Sequence, residues 1–171
     1  MNITEAVSNL KQLEGGFGHE ANGEEVMEGI DQSSWDQFAQ THGLPQRPVE
    51  FLTPEQIEYF FAVSYWDPLY CDQLPDPIPF ALFQYELNVS GAGNRGRAVR
   101  DLQIVLGIVP DGIMGPITVQ AAQKAPDPKK VTLLLLARQE AWYENLWKQN
   151  PEDPIQGWTD RITKTKEILA M

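Results

Sequence analysis

Glu14 is the residue of this chain whose setting most suggests chemistry. It ends an apolar helical stripe of Ile3, Val7 and Leu10, and Gly15 and Gly16 follow it. A carboxyl group at the end of an apolar face is partly shielded from water, and shielding favours its protonated form near neutral pH. The two glycines let the backbone turn sharply and leave open space beside the carboxyl. Together these features suit a general acid that protonates a departing sugar oxygen. The same pattern also describes a helix-ending residue that simply reaches solvent, and spacing alone does not separate the two. Glycosidic hydrolysis needs a second group across the ring, with the two carboxyls of an inverting enzyme roughly 6.5–9.5 Å apart. Glu20, Glu24, Glu25, Glu28 and Asp31 all follow Glu14 closely. A loop folding back over a cleft would bring one of them into place; a solvated acidic loop is the competing reading.

Other side chains admit two roles each. Tyr65 and Trp66 are adjacent aromatics that could stack on sugar faces or fill a core. Asn88 stands at the end of an apolar helix beside a glycine-rich loop, where it would bind a substrate amide or cap backbone groups. His19 and His42 are isolated, and no paired cysteines or His-Glu-x-x-His pattern offers a metal site. No glycine loop of the phosphate-binding kind follows a strand. No cofactor is expected. Cys71 sits beside Tyr70 in a proline-rich stretch and reads as an inert thiol.

Bulk composition narrows the class. With 13 basic and 24 acidic residues the formal charge is −11, which disfavours nucleic acid and any broad electrostatic grip on an anionic polymer. A saccharide site would rely on a local groove of aromatic and hydrogen-bonding groups. One cysteine permits no intrachain disulfide, as suits folding in a reducing compartment. The opening Met1-Asn2-Ile3-Thr4-Glu5 lacks a basic and apolar leader pattern, so synthesis in the cytoplasm without a signal peptide is expected. No run approaches the ~18 apolar residues of a membrane span. The chain is expected to act as a monomer.

The elements that must position these residues are mostly helices. Helical spacing predicts a helix over 3–14, capped by Asn2 with Glu5, and a loop or short ribbon over 15–32. A second helix carries Trp35, Phe38 and His42, with Ser33 or Ser34 as its cap and Gly43 as its stop. Thr53-Pro54-Glu55-Gln56 starts a third, which carries Ile57, Phe60 and Phe61. Four prolines make 66–79 a turn-rich connection. Helices then follow over about 79–88, 97–106, from Pro116, 128–148 and from Pro154. The fold class is mainly α, with about seven to eight helices. Glycines 91, 93 and 96 form a hinge-like loop, dividing the chain into 1–92 and 93–171.

The ordered set of motifs resembles a known family. Leu13-Glu14-Gly15-Gly16-Phe17 resembles the Glu-Gly-Gly-Tyr signature of glycoside hydrolase family 108, the bacterial and phage N-acetylmuramidases. Tyr65-Trp66-Asp67-Pro68-Leu69 with Asp72-Gln73-Leu74-Pro75 is similar to the family's segment after its third helix. Phe83-Gln84-Tyr85-Glu86-Leu87-Asn88 is similar to its Phe-Asp-x-x-x-Asn helix. Gly96-Arg97-Ala98-Val99, Leu102-Gln103 and Asp111-Gly112-Ile113-Met114-Gly115-Pro116-Ile117-Thr118 resemble its C-terminal peptidoglycan-binding part. Gly157-Trp158 with Arg161 resembles its Gly-Trp-x-x-Arg. One stretch departs: the family's loop runs to Thr-x-Tyr-Gly-Ile, whereas Gly29-Ile30 here follow a shorter, more acidic loop with Val26 and Glu28 in the other two places.

The resemblance implies a lysozyme-like helical catalytic lobe over 1–92 and a helical peptidoglycan-binding lobe over 93–171. It implies a muramidase that cleaves the β-1,4 bond between N-acetylmuramic acid and N-acetylglucosamine, with peptidoglycan glycan strands as partner. Glu14 would be the acid. Glu20 or Glu24 would place water or stabilise developing charge. Tyr65, Trp66, Tyr85 and Asn88 would contact substrate. Such a chain would be a phage or prophage lysis protein, or a virion component, acting on the cell wall. A lytic transglycosylase using the same Glu, or a non-catalytic wall-binding or virion structural protein, are the alternatives.

Overall fold

The computed structural model describes residues 1–14, 17–19, 25–27, 29–91, 93–152 and 155–171. Eight α-helices and one three-stranded sheet make up its regular structure. In chain order these are α1 (Ile3–Glu14), β1 (Phe17–His19), β2 (Glu25–Met27), β3 (Ile30–Asp31), α2 (Gln32–His42), α3 (Pro54–Phe61), α4 (Ile78–Gly91), α5 (Arg97–Leu106), α6 (Pro116–Gln123), α7 (Pro128–Gln149) and α8 (Ile155–Ile168). The class is mainly α and lysozyme-like, as expected. The chain forms two compact units, Asn2–Ser64 and Tyr65–Met171, the second including Met1.

In the first unit α1 starts on a reciprocal cap. Asn2 Oδ1 accepts from the Glu5 N–H at 2.9 Å, and the Glu5 carboxylate accepts from the Asn2 N–H at 3.1 Å. Ala6, Val7 and Leu10 are buried on its inner face, and α1 packs on α3. A capping box of Thr53 and Gln56, with Pro54 at the first turn, starts α3, which buries Ile57, Phe60 and Phe61. The expected loop or ribbon is an antiparallel sheet in the order β1-β2-β3, with Phe17 opposite Met27, His19 opposite Glu25, and Met27 opposite Ile30. Gly29 stands in the reversal between β2 and β3 at φ 87°, a conformation that glycine adopts without penalty.

The start of α2 differs from expectation. Its cap is Asp31, and neither Ser33 nor Ser34 fills that place. Both serines instead serve the cap: Asp31 accepts from Ser33 Oγ at 2.7 Å, from the Ser34 N–H at 2.7 Å and from Ser34 Oγ at 2.8 Å. The spacing signal pointed to a hydroxyl, but a carboxylate at a helix N-terminus also gains from the helix dipole. Gly43 at φ 66° ends α2, as expected. Gln32 then pins the next segment, accepting from the Val49 N–H at 2.9 Å and donating to the Arg47 carbonyl at 3.1 Å.

In the second unit α4 is the central element. Ile78, Phe80, Ala81, Leu82, Phe83, Tyr85 and Val89 are all 0% exposed, as is Gln84, and Glu86 is 3% exposed, so the helix is buried around most of its circumference. It runs three residues beyond the expected 79–88 at its C-terminal end, to Gly91. Both α5 and α7 pack on α4; α6 packs on α5, and α8 on α7. A five-residue π-helical turn, Ala62–Trp66, follows α3, and the proline-rich connection carries a short 3-10 turn at Cys71–Gln73. Cys71 is buried; that burial, with Asp72 and Asp67 nearby, pushes its thiol well up, in keeping with an inert cysteine.

Asp31→Ala removes the α2 cap and should cost about 1 kcal/mol in urea denaturation at neutral pH. Burial pushes the Asp31 carboxyl up, but the hydrogen bonds from Ser33 and Ser34 together hold it below its ordinary 3.8. A depressed carboxylate stabilises the fold above its unfolded pKa and loses that stabilisation as pH falls through the folded one. The gap between wild type and variant should therefore hold from neutral pH to about pH 4 and close below it.

Candidate functional site

Glu14 is the last residue of α1, and β1 begins at Phe17. The candidate acid therefore stands where the first helix meets the sheet. Val7, 6% exposed, and Leu10, 0% exposed, precede it at intervals of seven and four residues, the helical spacing of one face. Glu20 and Glu24 belong to the connection between the paired His19 and Glu25. Both lie outside the described residues, as do Glu28 and the side chain of Glu14. Glu25 is in β2. Asp31 is spent as the α2 cap. Among the described residues, no group of His, Cys, Asp and Glu could hold a metal ion, and no helix is long and apolar enough to cross a membrane.

The aromatic and amide candidates belong to the second unit. Trp66 is 1% exposed; its Nε1 donates to Asp72 at 2.7 Å, and its ring stands 5.6 Å from Phe83. Tyr85 is 0% exposed, and its hydroxyl donates to Asp101 at 2.7 Å. Burial pushes the Tyr85 phenol up, and Asp101 adds to the effect. Both rings are enclosed, with their polar atoms engaged inside the unit. Tyr65 is half-buried, edge-on to Phe83 at 6.5 Å, with the Arg95 guanidinium 5.5 Å above its ring. Asn88, also half-buried, accepts from the Tyr143 hydroxyl at 2.8 Å, and Tyr143 accepts from Gln139, which pairs with Gln84. For Tyr85 the sequence signal was the density of apolar residues around it in α4.

The first unit exposes an aromatic that motif reading passed over. Tyr59 is 44% exposed. Phe38 and His42 stand edge-on to it at 5.5 and 5.9 Å. It lines a groove of about 380 Å³ with Thr4, Glu55 and Glu58. Thr4 is ten residues from Glu14 on α1, about 15 Å at the helical rise. A signal existed: Ile57, Phe60 and Phe61 define the inner face of α3, and Tyr59 falls off it.

Residues 7–90 match the family profile of Glycosyl hydrolase 108, and residues 97–163 match that of a Predicted Peptidoglycan domain. The chain belongs to glycoside hydrolase family 108. Its fold is similar to that of Brucella abortus SagA, with a TM-score of 0.70 at 22% identity, covering 98% of this chain and 94% of that chain. No curated protein matches it. As a family 108 protein the chain is a glycoside hydrolase, and its peptidoglycan domain makes peptidoglycan its partner, so it is a peptidoglycan hydrolase.

The structure explains the motifs of the peptidoglycan domain of this family 108 chain. Gln103, 2% exposed, is the hub of the Asp111–Thr118 run. Its Nε2 donates to Asp111 Oδ1 at 2.7 Å, to the Ile113 carbonyl at 3.1 Å and to Thr118 Oγ1 at 3.1 Å, and its Oε1 accepts from the Gly112 N–H at 2.8 Å. Glycine is required at two places. A Cβ on Gly96 would stand 2.9 Å from the Gly112 carbonyl oxygen, and a Cβ on Gly112 would meet Gly96 O at 3.1 Å. Both have positive φ, 82° and 77°. Glu86 of α4 caps α5 from outside, accepting from the Gly96 N–H and, at 3.1 Å, from the Ala98 N–H. Burial pushes the Glu86 carboxyl up against the opposing pull of those two hydrogen bonds. Trp158 of the Gly-Trp-x-x-Arg run stacks on Tyr143 at 5.4 Å.

Two substitutions test this reading of the motifs as architecture. Gly112→Ala forces a side chain into a left-handed conformation against Gly96 and should cost about 2 kcal/mol in urea denaturation. Glu86→Gln turns one of the two acceptors into a donor that faces either the Gly96 or the Ala98 N–H and should cost about 2 kcal/mol. Losses within a few tenths of a kcal/mol, as for an ordinary surface change, would refute it.

Proposed function

We propose that this chain is a muramidase that hydrolyses the β-1,4 bond between N-acetylmuramic acid and N-acetylglucosamine, with Glu14 as its general acid. One observation carries the reading: Glu14 closes α1 just before the sheet, inside the segment that matches family 108. The C-terminal end of a helix carries partial negative charge, which disfavours a further negative charge there. An acid that must hold its proton until the leaving oxygen needs it gains from that placement. Glu20 or Glu24, in the connection between β1 and β2, would position the attacking water or stabilise the oxocarbenium-like charge. Tyr65 and Asn88, both half-buried, are the proposed contacts for substrate. The buried Cys71 suits a chain that folds in a reducing cytoplasm before it meets the wall, as a phage or prophage lysis protein does.

The acidic loop in place of the family's Thr-x-Tyr-Gly-Ile favours a second reading, a lytic transglycosylase that uses the same acid without an activated water. Product analysis separates the two: mass spectrometry of digested sacculi should show reducing-end muramic acid, and a 1,6-anhydro product would establish the alternative.

Glu14→Gln keeps the shape of the side chain and removes the transferable proton. Release of soluble glycan fragments should fall at least about a hundredfold, the usual contribution of a general acid, with an unchanged circular dichroism spectrum. A folded variant that clears cell walls at the wild-type rate would rule out Glu14 as the acid.

A further inference from the structure

Antiparallel α5 and α7 leave a groove of about 500 Å³ along one side. The Arg97 guanidinium lies 5.8 Å over the Trp142 ring, and Arg138 pairs with Asp101 at 2.8 Å, which fixes the register of the two helices. Toward one end the groove is lined by Arg97, Trp142 and Asn145, and toward the other by Ile104 and Leu134. No acidic residue lines it. In a chain of net charge −11, two arginines on one groove form a local positive site.

The arginines are held from beneath. Asp101, 2% exposed, accepts from Arg138 Nε at 2.8 Å and from the Tyr85 hydroxyl at 2.7 Å, and forms an ion pair with Arg138 Nη2 at 2.8 Å. Arg97 Nε approaches the same carboxylate at 3.4 Å. A guanidinium offers five N–H donors. Asp101 engages two of the three Arg138 nitrogens, which leaves Nη1 to donate elsewhere. One carboxylate between two guanidiniums also leaves one positive charge over. Such a planar, pre-positioned donor matches a carboxylate.

The rest of the groove selects among carboxylates. Ile104 and Leu134 are 41% and 45% exposed, and Ala137 and Ala141 keep the floor shallow. Small apolar side chains fit there. The Trp142 ring is 7% exposed and covered by Arg97, so it offers no open face for a sugar. We propose that this groove binds the peptide stem of peptidoglycan, through a stem carboxylate on Arg138 and Arg97 with alanine-sized side chains along Ile104 and Leu134. The inference rests on peptidoglycan as the chain's partner and goes beyond glycan recognition.

The test compares cold binding of the full chain to intact sacculi, read by co-sedimentation, with its binding to the soluble glycan strands that an amidase leaves on removing the peptides, read by titration calorimetry. Wild type should bind intact sacculi about tenfold more tightly, the worth of one charge-assisted hydrogen bond. Arg138→Gln should lose that difference. Leu134→Glu, at an exposed position away from Asp101, should lose it too while binding stripped strands as wild type does. Equal wild-type binding to both polymers overturns the proposal, as does a folded Leu134→Glu chain that keeps full affinity for intact sacculi. If that wild type still releases reducing sugar, the hydrolase reading stands and only the groove assignment falls. A wild type that neither binds nor cuts either polymer overturns both.

Discussion

Asp101 is the constraint on which the second unit depends. A carboxylate that is 2% exposed cannot be left without partners, because an unpaired buried charge costs far more than one hydrogen bond returns. Its partners come from three helices: Tyr85 of α4, Arg97 of its own α5 and Arg138 of α7. Apolar packing brings α4, α5 and α7 together, but many rotations and slides would bury similar area. Only one register puts a hydroxyl and two guanidiniums on the same carboxylate. The pairing therefore fixes α5 against α7, and the groove between them inherits its shape from that choice.

The same division of labour recurs nearby. Glu86 fixes where α5 starts, because Gly96 brings no capping side chain of its own. Gln103 fixes where the following turn folds back, because one amide satisfies four groups between Asp111 and Thr118. Gln84, Gln139 and Tyr143 form a buried chain of hydrogen bonds between α4 and α7 that ends on the half-buried Asn88. Each is a polar group taken out of water, so each specifies one arrangement by making the alternatives costly. The residues that look most diagnostic in the peptidoglycan domain are these architectural ones, and the groove's apolar lining carries no motif.

Helix existence and most helix ends were legible because they depend on local chemistry. The Asn2–Glu5 and Thr53–Gln56 caps, Gly43, Pro116 and Asp127-Pro128 each act within four residues of the end they define. Asp31 was misread because three cap-forming residues fall within four positions, and the carboxylate that precedes both serines collects both hydroxyls and the Ser34 N–H. What could not be read was long-range. Nothing near Tyr85 announces that Asp101, 16 residues away, will take its hydroxyl. Nothing near Trp66 shows that Phe83 will cover its ring. Aromatic side chains look alike in sequence whether they meet a sugar or a neighbour, and only packing separates Trp66 from Tyr59.

The ribbon after α1 links two helix ends of opposite polarity. It leaves the C-terminal end of α1 at Glu14 and enters the N-terminal end of α2 at Asp31. At the α2 end, N–H and hydroxyl donors converge on the Asp31 carboxyl and hold it ionised. At the α1 end the backbone presents carbonyls, which repel a second negative charge. The two helix ends thus offer opposite backbone polarity, the α2 end favouring a charged carboxylate and the α1 end disfavouring one. Asp31 has its oxygens committed to the cap, so it is not the partner across the sugar. On the proposed reading that role goes to Glu20 or Glu24, in the stretch of sequence where this chain departs from the family pattern, so a proposed acid of the usual kind is compatible with a changed way of placing water.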